Sequence, residues 1–153
     1  DAAVAGQFRY IQDYSGYPVC SNTDVVFYDD AVKGLEAQLK DLEKAKQFIF
    51  MEYHAIEDSK SVAPLIDVLR RKAAEGVEVR LFYDYVGSMG FVGNSFAKKM
   101  SGYGIQCRVF NPLNPVLNMF VNNRDHRKIT VIDGKVGFTG GYNLADEYFK
   151  TKR

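Results

Sequence analysis

Apolar and polar residues along this chain follow two periods. From Ala31 to Lys46, Val32, Leu35, Leu39 and Leu42 recur at helical spacing with lysines and acids between them, which predicts an amphipathic helix. Gln47 to His54 reads as a strand. Ser61 opens a second helix with Pro64 in its first turn; Val62, Leu65, Ile66, Leu69 and Ala73 face inward, and Gly76 ends it as a C-cap. Val77 to Tyr83 is another strand, and its apolar residues at positions of both parities suit a sheet covered on both faces. Gly93 to Gly104 carries a weaker helical pattern. Gln106 to Phe110 reads as a strand, and Val25-Val26-Phe27-Tyr28 as a short one near the start. Residues 8–17 mix aromatic and polar side chains and are broken by Gly16-Tyr17-Pro18.

Toward the C-terminus, an alternating run from Asp125 to Asp133 reads as a strand. Asp133-Gly134 is the dipeptide of a tight hairpin turn, and Lys135 to Thr139 is the returning strand. Gly140-Gly141 then forms a turn where backbone N–H groups can come close to a ligand. Strands alternating with helices predict an α/β fold with a mostly parallel mixed sheet flanked by helices. There is no internal repeat and no low-complexity segment.

The last strand also carries the candidate chemistry. Residues two apart in a strand share a face, so His126 and Lys128 point one way while Arg127 and Ile129 point the other. An imidazole and an ammonium aimed at one spot suit an anionic, phosphate-like substrate. His126 can act as nucleophile or proton carrier, and Lys128 can hold charge that builds on phosphate oxygens. Asn143, just past the glycine pair, adds a neutral donor; it also reads as a turn residue or as the N-cap of a helix beginning Leu144-Ala145-Asp146-Glu147. Asp133 lies an odd number of positions from His126 and does not share its face. An Asp-Gly hairpin tip needs no chemistry, so the role read for Asp133 is support of the turn or of its neighbours.

Glu52 is a polar misfit in an otherwise apolar strand. It needs a partner, and it sits near the strand's C-terminal end, where ligands of open α/β sheets lie. His54 reads as a strand-end surface residue. Asp84, Gly87 and Ser88 end the following strand in a similar way. Residues 110–121 hold two prolines and many apolar side chains; they read either as a loop packed on the core or as an apolar lip that meets acyl chains or a membrane surface.

Bulk properties narrow the function classes. The chain has 153 residues, enough for one domain with a core, and its 46% hydrophobic and 25% charged residues are ordinary for a globular protein. A net charge of +1 does not suggest a nucleic-acid binder. Cys20 and Cys107 read as two reduced, partly buried thiols. Two histidines and two cysteines, widely scattered, give no zinc spacing, and neither a P-loop nor a dinucleotide fingerprint occurs, so no metal or cofactor is expected. No run is apolar and long enough to span a bilayer. The start at Asp1 and the finish at Thr151-Lys152-Arg153 read as cut ends.

The motif His126-x-Lys128, then Asp133, then Gly140-Gly141-Tyr142-Asn143 resembles the signature of the phospholipase D superfamily, with Gly141 where a serine is usual. Phe27-Tyr28-Asp29-Asp30, Glu52-Tyr53-His54, the run from Lys72 to Arg80 and the run from Phe138 to Tyr148 narrow the resemblance to the first catalytic half of bacterial cardiolipin synthases. It implies that residues 1–153 are a single half-domain, excised from a membrane-bound parent with its catalytic part on the cytoplasmic side. It implies phosphatidyl transfer between two phosphatidylglycerol molecules through a phosphohistidine on His126, with Lys128 and Asn143 on the non-bridging oxygens. The implied partners are the phospholipid, the membrane surface, and a second catalytic half or a dimer mate; nucleic acid is not expected. Two alternatives remain open: a nuclease or phosphodiesterase of the same superfamily working as a homodimer, and a non-catalytic membrane-surface domain. The residues alone do not choose between nucleophile and acid for His126.

Overall fold

The computed structural model describes residues 2–113 and 121–149. Its elements in chain order are α1 (Ala2–Ser15), α2 (Ala31–Leu42), β1 (Phe48–Tyr53), α3 (Ala63–Ala74), β2 (Glu78–Asp84), α4 (Tyr85–Ser88), α5 (Phe96–Gly102), β3 (Gln106–Phe110), β4 (Lys128–Ile132), β5 (Val136–Thr139) and α6 (Asp146–Phe149). The five strands form one sheet in the order β3-β2-β1-β4-β5. β1, β2 and β3 run parallel, whereas β4 pairs antiparallel with β1 and with β5. The fold is therefore α/β with a mixed sheet whose larger part is parallel.

Alternation decides which face is dry. Ile49, Met51 and Tyr53 of β1, Val79, Leu81 and Tyr83 of β2, Cys107 of β3 and Ile132 of β4 are buried in one cluster with Leu35 and Leu42 of α2, Leu65 and Leu69 of α3, and Phe96 and Met100 of α5. The other face is less covered than the residue pattern of β2 suggests. There Phe48, Phe50 and Phe82 are half-buried while Arg80 is exposed. The reason is in the same strand, whose second face carries Glu78 and Arg80; Arg80 bonds Glu78 and lies 4.8 Å over the Phe50 ring.

The caps follow local chemistry. Asp30 caps α2, accepting from the N–H groups of Val32 at 2.7 Å and Lys33 at 3.2 Å. Pro64 stands in the first turn of α3, and Gly76 takes the left-handed conformation (φ +90°) just after it. Inside α2, Gln38 is wholly buried and donates to Thr130 Oγ1 of β4 at 2.7 Å and to the Tyr53 hydroxyl of β1 at 3.1 Å. A buried amide survives because its hydrogen bonds are made. Gly34 lets the helix approach this network, since a Cβ there would meet the Tyr142 hydroxyl at 3.1 Å.

Three expectations need correction. Val25-Val26-Phe27-Tyr28 is not a strand: it makes no ladder with the described residues, and Phe27 is 87% exposed. β-branched and aromatic residues favour a strand only where a partner supplies hydrogen bonds and packing. Cys20 is exposed rather than partly buried; both cysteines are free, and burial pushes the Cys107 thiol up to about 12. The strand predicted from Asp125 begins only at Lys128. Asn114 to Phe120, most of the candidate apolar lip, lie outside the described residues. Among the described residues no helix is long and apolar enough to cross a membrane.

Candidate active site

The parallel strands β1, β2 and β3 finish at one edge of the sheet, and antiparallel β4 starts there. Loops after parallel strands gather at this edge. His54 follows β1, Asp84 closes β2, and residues 124–127 lead into β4.

The lead-in is held by its main chain. Asp125 N–H donates to Asp84 Oδ2 at 3.0 Å, and Asp125 O accepts from His54 Nδ1 at 2.7 Å. His126 O accepts from Lys128 Nζ at 2.7 Å. Arg127 N–H donates to Asp125 Oδ1 at 3.1 Å. Asp84 is fully buried, and its other oxygen accepts from Gly87 N at 3.0 Å and from Arg124 Nη1 at 3.1 Å. A buried carboxylate must find such donors.

His126 therefore stands ahead of the strand, with its side chain exposed. Lys128 is buried, and its ammonium turns back to the His126 carbonyl. The ammonium thus meets the His126 main chain, and the two side chains do not project side by side as strand parity implies. Burial lowers the proton affinity of Lys128, opposed by the Asp125 carboxylate. The His126 ring instead meets the ring of His54, with centroids 4.7 Å apart and planes at 57°.

Glu52 finds its partners in the same lead-in. Its Oε1 lies 2.8 Å from Arg127 Nε, out of line for a hydrogen bond. Its carboxyl hydrogen-bonds to that of Asp125, and this bond, with desolvation and the Asp125 charge, raises Glu52 to about 7 against the pull of Arg127. Burial works against ionisation of Asp125. The hydrogen bonds from Glu52 and Arg127 outweigh it, however, and hold Asp125 at about 2. The pair thus shares one proton up to near-neutral pH.

Asn143 is buried and bonded through both ends of its amide: Oδ1 accepts from Ala55 N at 3.1 Å, and Nδ2 donates to the Tyr148 hydroxyl at 3.1 Å. It latches the loop after β5 to the residue following His54. It does not cap a helix at Leu144, because α6 begins only at Asp146. Gly140 and Gly141 are exposed, and β5 leaves the sheet beside Lys128, since Thr139 pairs with Ile129. Asp133 belongs to the opposite end of β4, where it accepts from the N–H groups of Lys46, Gln47 and Phe48 at 2.8–2.9 Å. Those three bonds hold its carboxyl below the usual carboxylate range.

The structure thus gathers His126 and Lys128 at one end of the sheet, sets Glu52 beside Asp125 and Arg127 on the face away from the Lys128 side chain, ties Asn143 to the residue after His54, and leaves Asp133 at the far end of β4. Sequence reasoning missed Asp125, Arg124 and Arg127 as partners and undervalued His54, Asp84 and Gly87. The available signal was the dense run of charge Arg124-Asp125-His126-Arg127-Lys128, excessive for a strand entering a core.

Comparison with solved structures places the fold among phospholipase D-like proteins. The Salmonella typhimurium phospholipase D family member Nuc superposes with a TM-score of 0.59 at 19% identity, over 77% of this chain and 70% of that one. NucT from Helicobacter pylori gives 0.58 at 15% identity, over 78% and 72%. At these identities the likeness concerns the fold.

The family follows from sequence. The profile described as "Cardiolipin synthase, PLD-like domain" matches residues 39–153, and the chain belongs to this family. It is 43% identical over 142 residues to cardiolipin synthase 2 of Bacillus cereus, covering 92% of this chain and 27% of that protein. It is 38% identical over 127 residues to the cardiolipin synthase of Oceanobacillus iheyensis, covering 83% and 26%. The chain therefore spans less than a third of the length of the curated relatives it matches.

Proposed function

We propose that this chain is one catalytic half-domain of a phosphatidyltransferase that joins two phosphatidylglycerol molecules into cardiolipin and releases glycerol. One observation carries the reading: an exposed imidazole on a main chain bonded at every peptide from 125 to 127, with a buried ammonium on its own carbonyl. Such rigidity suits a nucleophile that must meet phosphorus in one orientation.

The atoms balance as follows. A neutral nitrogen of His126 attacks phosphorus, and the bond from phosphorus to the departing glycerol oxygen breaks. A general acid supplies that oxygen with a proton. The hydroxyl of a second phosphatidylglycerol then attacks the phosphohistidine, breaks the P–N bond and returns its proton to the same acid, now a base. Lys128 offsets charge on the non-bridging oxygens. Asn143 contributes by holding the loop beside His54, its polar atoms being taken up within the protein. Asp133 sets the hairpin end of β4. The acid comes from a second motif across from this one, in the same polypeptide or in a dimer mate, and the reaction takes place at the surface of the cell membrane.

The test uses the full-length protein and fluorescent phosphatidylglycerol in vesicles. His126→Ala should lower cardiolipin formation by about 10³-fold or more. Denaturing quench of the unaltered enzyme should trap an acid-labile lipid adduct on the peptide containing His126. Undiminished transfer by His126→Ala would sink the proposal.

A further inference from the structure

The site holds a second imidazole that the steps above leave without a task. His54 follows β1, and several segments close on it. Its Nδ1 lies 2.7 Å from Asp125 O. A carbonyl oxygen can only accept, so Nδ1 carries the proton. One side of the ring meets His126. Gly87 of α4 also closes on it: a Cβ there would fall 2.3 Å from the His54 carbonyl oxygen and 2.6 Å from its Nε2. Any side chain at 87 would displace the imidazole or the chain that bears it. Ser88 Oγ accepts from Ile56 N at 3.2 Å and donates to His54 O at 3.4 Å, and Asn143 holds Ala55 N. An ordinary strand-end residue has no need of such a seat.

Geometry excludes one role for it. In-line displacement puts the attacking and leaving atoms on opposite sides of phosphorus, so an acid must reach the far side. Two rings with centroids 4.7 Å apart leave no room for a phosphorus atom between them. His54 is on the near side, and its Nε2 faces Gly87.

We propose that His54 is a positioning residue for His126: its bond to the Asp125 carbonyl and its ring contact hold the His126 imidazole in one orientation. The catalytic part of this inference rests on the reading of His126 as nucleophile; the structural part does not.

The chain has two histidines, so ¹⁵N imidazole spectra resolve each ring. In the 153-residue chain, His54 should appear as the Nδ1–H form, with a nuclear Overhauser effect to the His126 ring. His54→Ala should average the χ1 couplings of His126 while moving Tm by no more than about 3 °C. In the full-length protein, His54→Ala should lower kcat about 10- to 100-fold with KM within about twofold. His54→Asn, whose amide nitrogen can occupy the place of Nδ1 but which has no ring, should recover part of that loss. Gly87→Ala, which leaves both imidazoles in the sequence, should reproduce it. A His126 ring that keeps a single rotamer in His54→Ala, an unchanged kcat, or a loss confined to KM would overturn the proposal. Should transfer survive His126→Ala, the catalytic reading fails and the spectra alone decide the positioning. Should transfer need His126 but not His54, the positioning fails alone.

Discussion

At the level of single residues, the site is governed by where protons rest. Glu52 is raised to about 7 in the fold from an ordinary 4.5. Between those values the folded chain binds a proton that the unfolded chain releases, so Glu52 lowers stability as pH rises from 4.5 to 7 and no further above that. Replacing it by glutamine keeps a donor for Asp125 and abolishes the titration. Glu52→Gln should thus gain in Tm relative to the unaltered chain as pH is raised through this interval, with the difference level above pH 7. Parallel thermal melts from pH 4 to 8 check this; a constant difference would refute the shared proton. Spacing disclosed His126, Lys128 and the oddness of Glu52, because one-dimensional patterns of charge report which residues are costly to bury. It did not disclose Asp125 or His54, whose roles depend on a carbonyl 71 positions from the ring that bonds it.

At the level of elements, β4 connects two ends with different duties. The lead-in to its start presents the imidazole, and its end is fastened by Asp133, which gathers three N–H groups at the entry to β1 from a left-handed conformation (φ +53°). Two positions separated by about 20 Å of extended chain cannot share one chemical task. Asp133 is held below its ordinary 3.8, so its contribution is present above that pH and is lost as pH falls through the lowered value. Asp133→Ala should lower Tm at pH 7, and the deficit should shrink as pH drops below 3.8, while the His54 and His126 ring signals stay unchanged. Differential scanning calorimetry with ¹⁵N spectra separates the two readouts; a loss of the ring contact would return Asp133 to the site. The helices α2 and α3 and the strands β1 to β3 were legible from periodicity and caps. Val25–Tyr28 was misread because a strand is a property of a pair. The break between His126 and Lys128 was hidden because the alternation continues across it, while the ladder does not.

For the whole molecule, the decisive fact is arithmetic. An attacking imidazole must be neutral and a protonating one charged, and His54 is badly sited for the second duty. The 153-residue chain alone should therefore form cardiolipin from phosphatidylglycerol vesicles at a rate about 10²-fold or more below that of the full-length protein. Robust synthesis by this chain, lost in His126→Ala, would show that one motif suffices.

The grip on residues 125 to 127 has a practical corollary. Among the described residues its hydrogen bonds fall on peptide atoms and on flanking side chains rather than on the imidazole of His126 itself. The hydrogen bonds of the seat thus do not depend on which side chain it carries, although the His54 ring contact does. A cysteine, an aspartate or an unnatural imidazole analogue could be grafted there while the cradle keeps its shape, so that nucleophiles of different strength could be ranked on one unchanging scaffold.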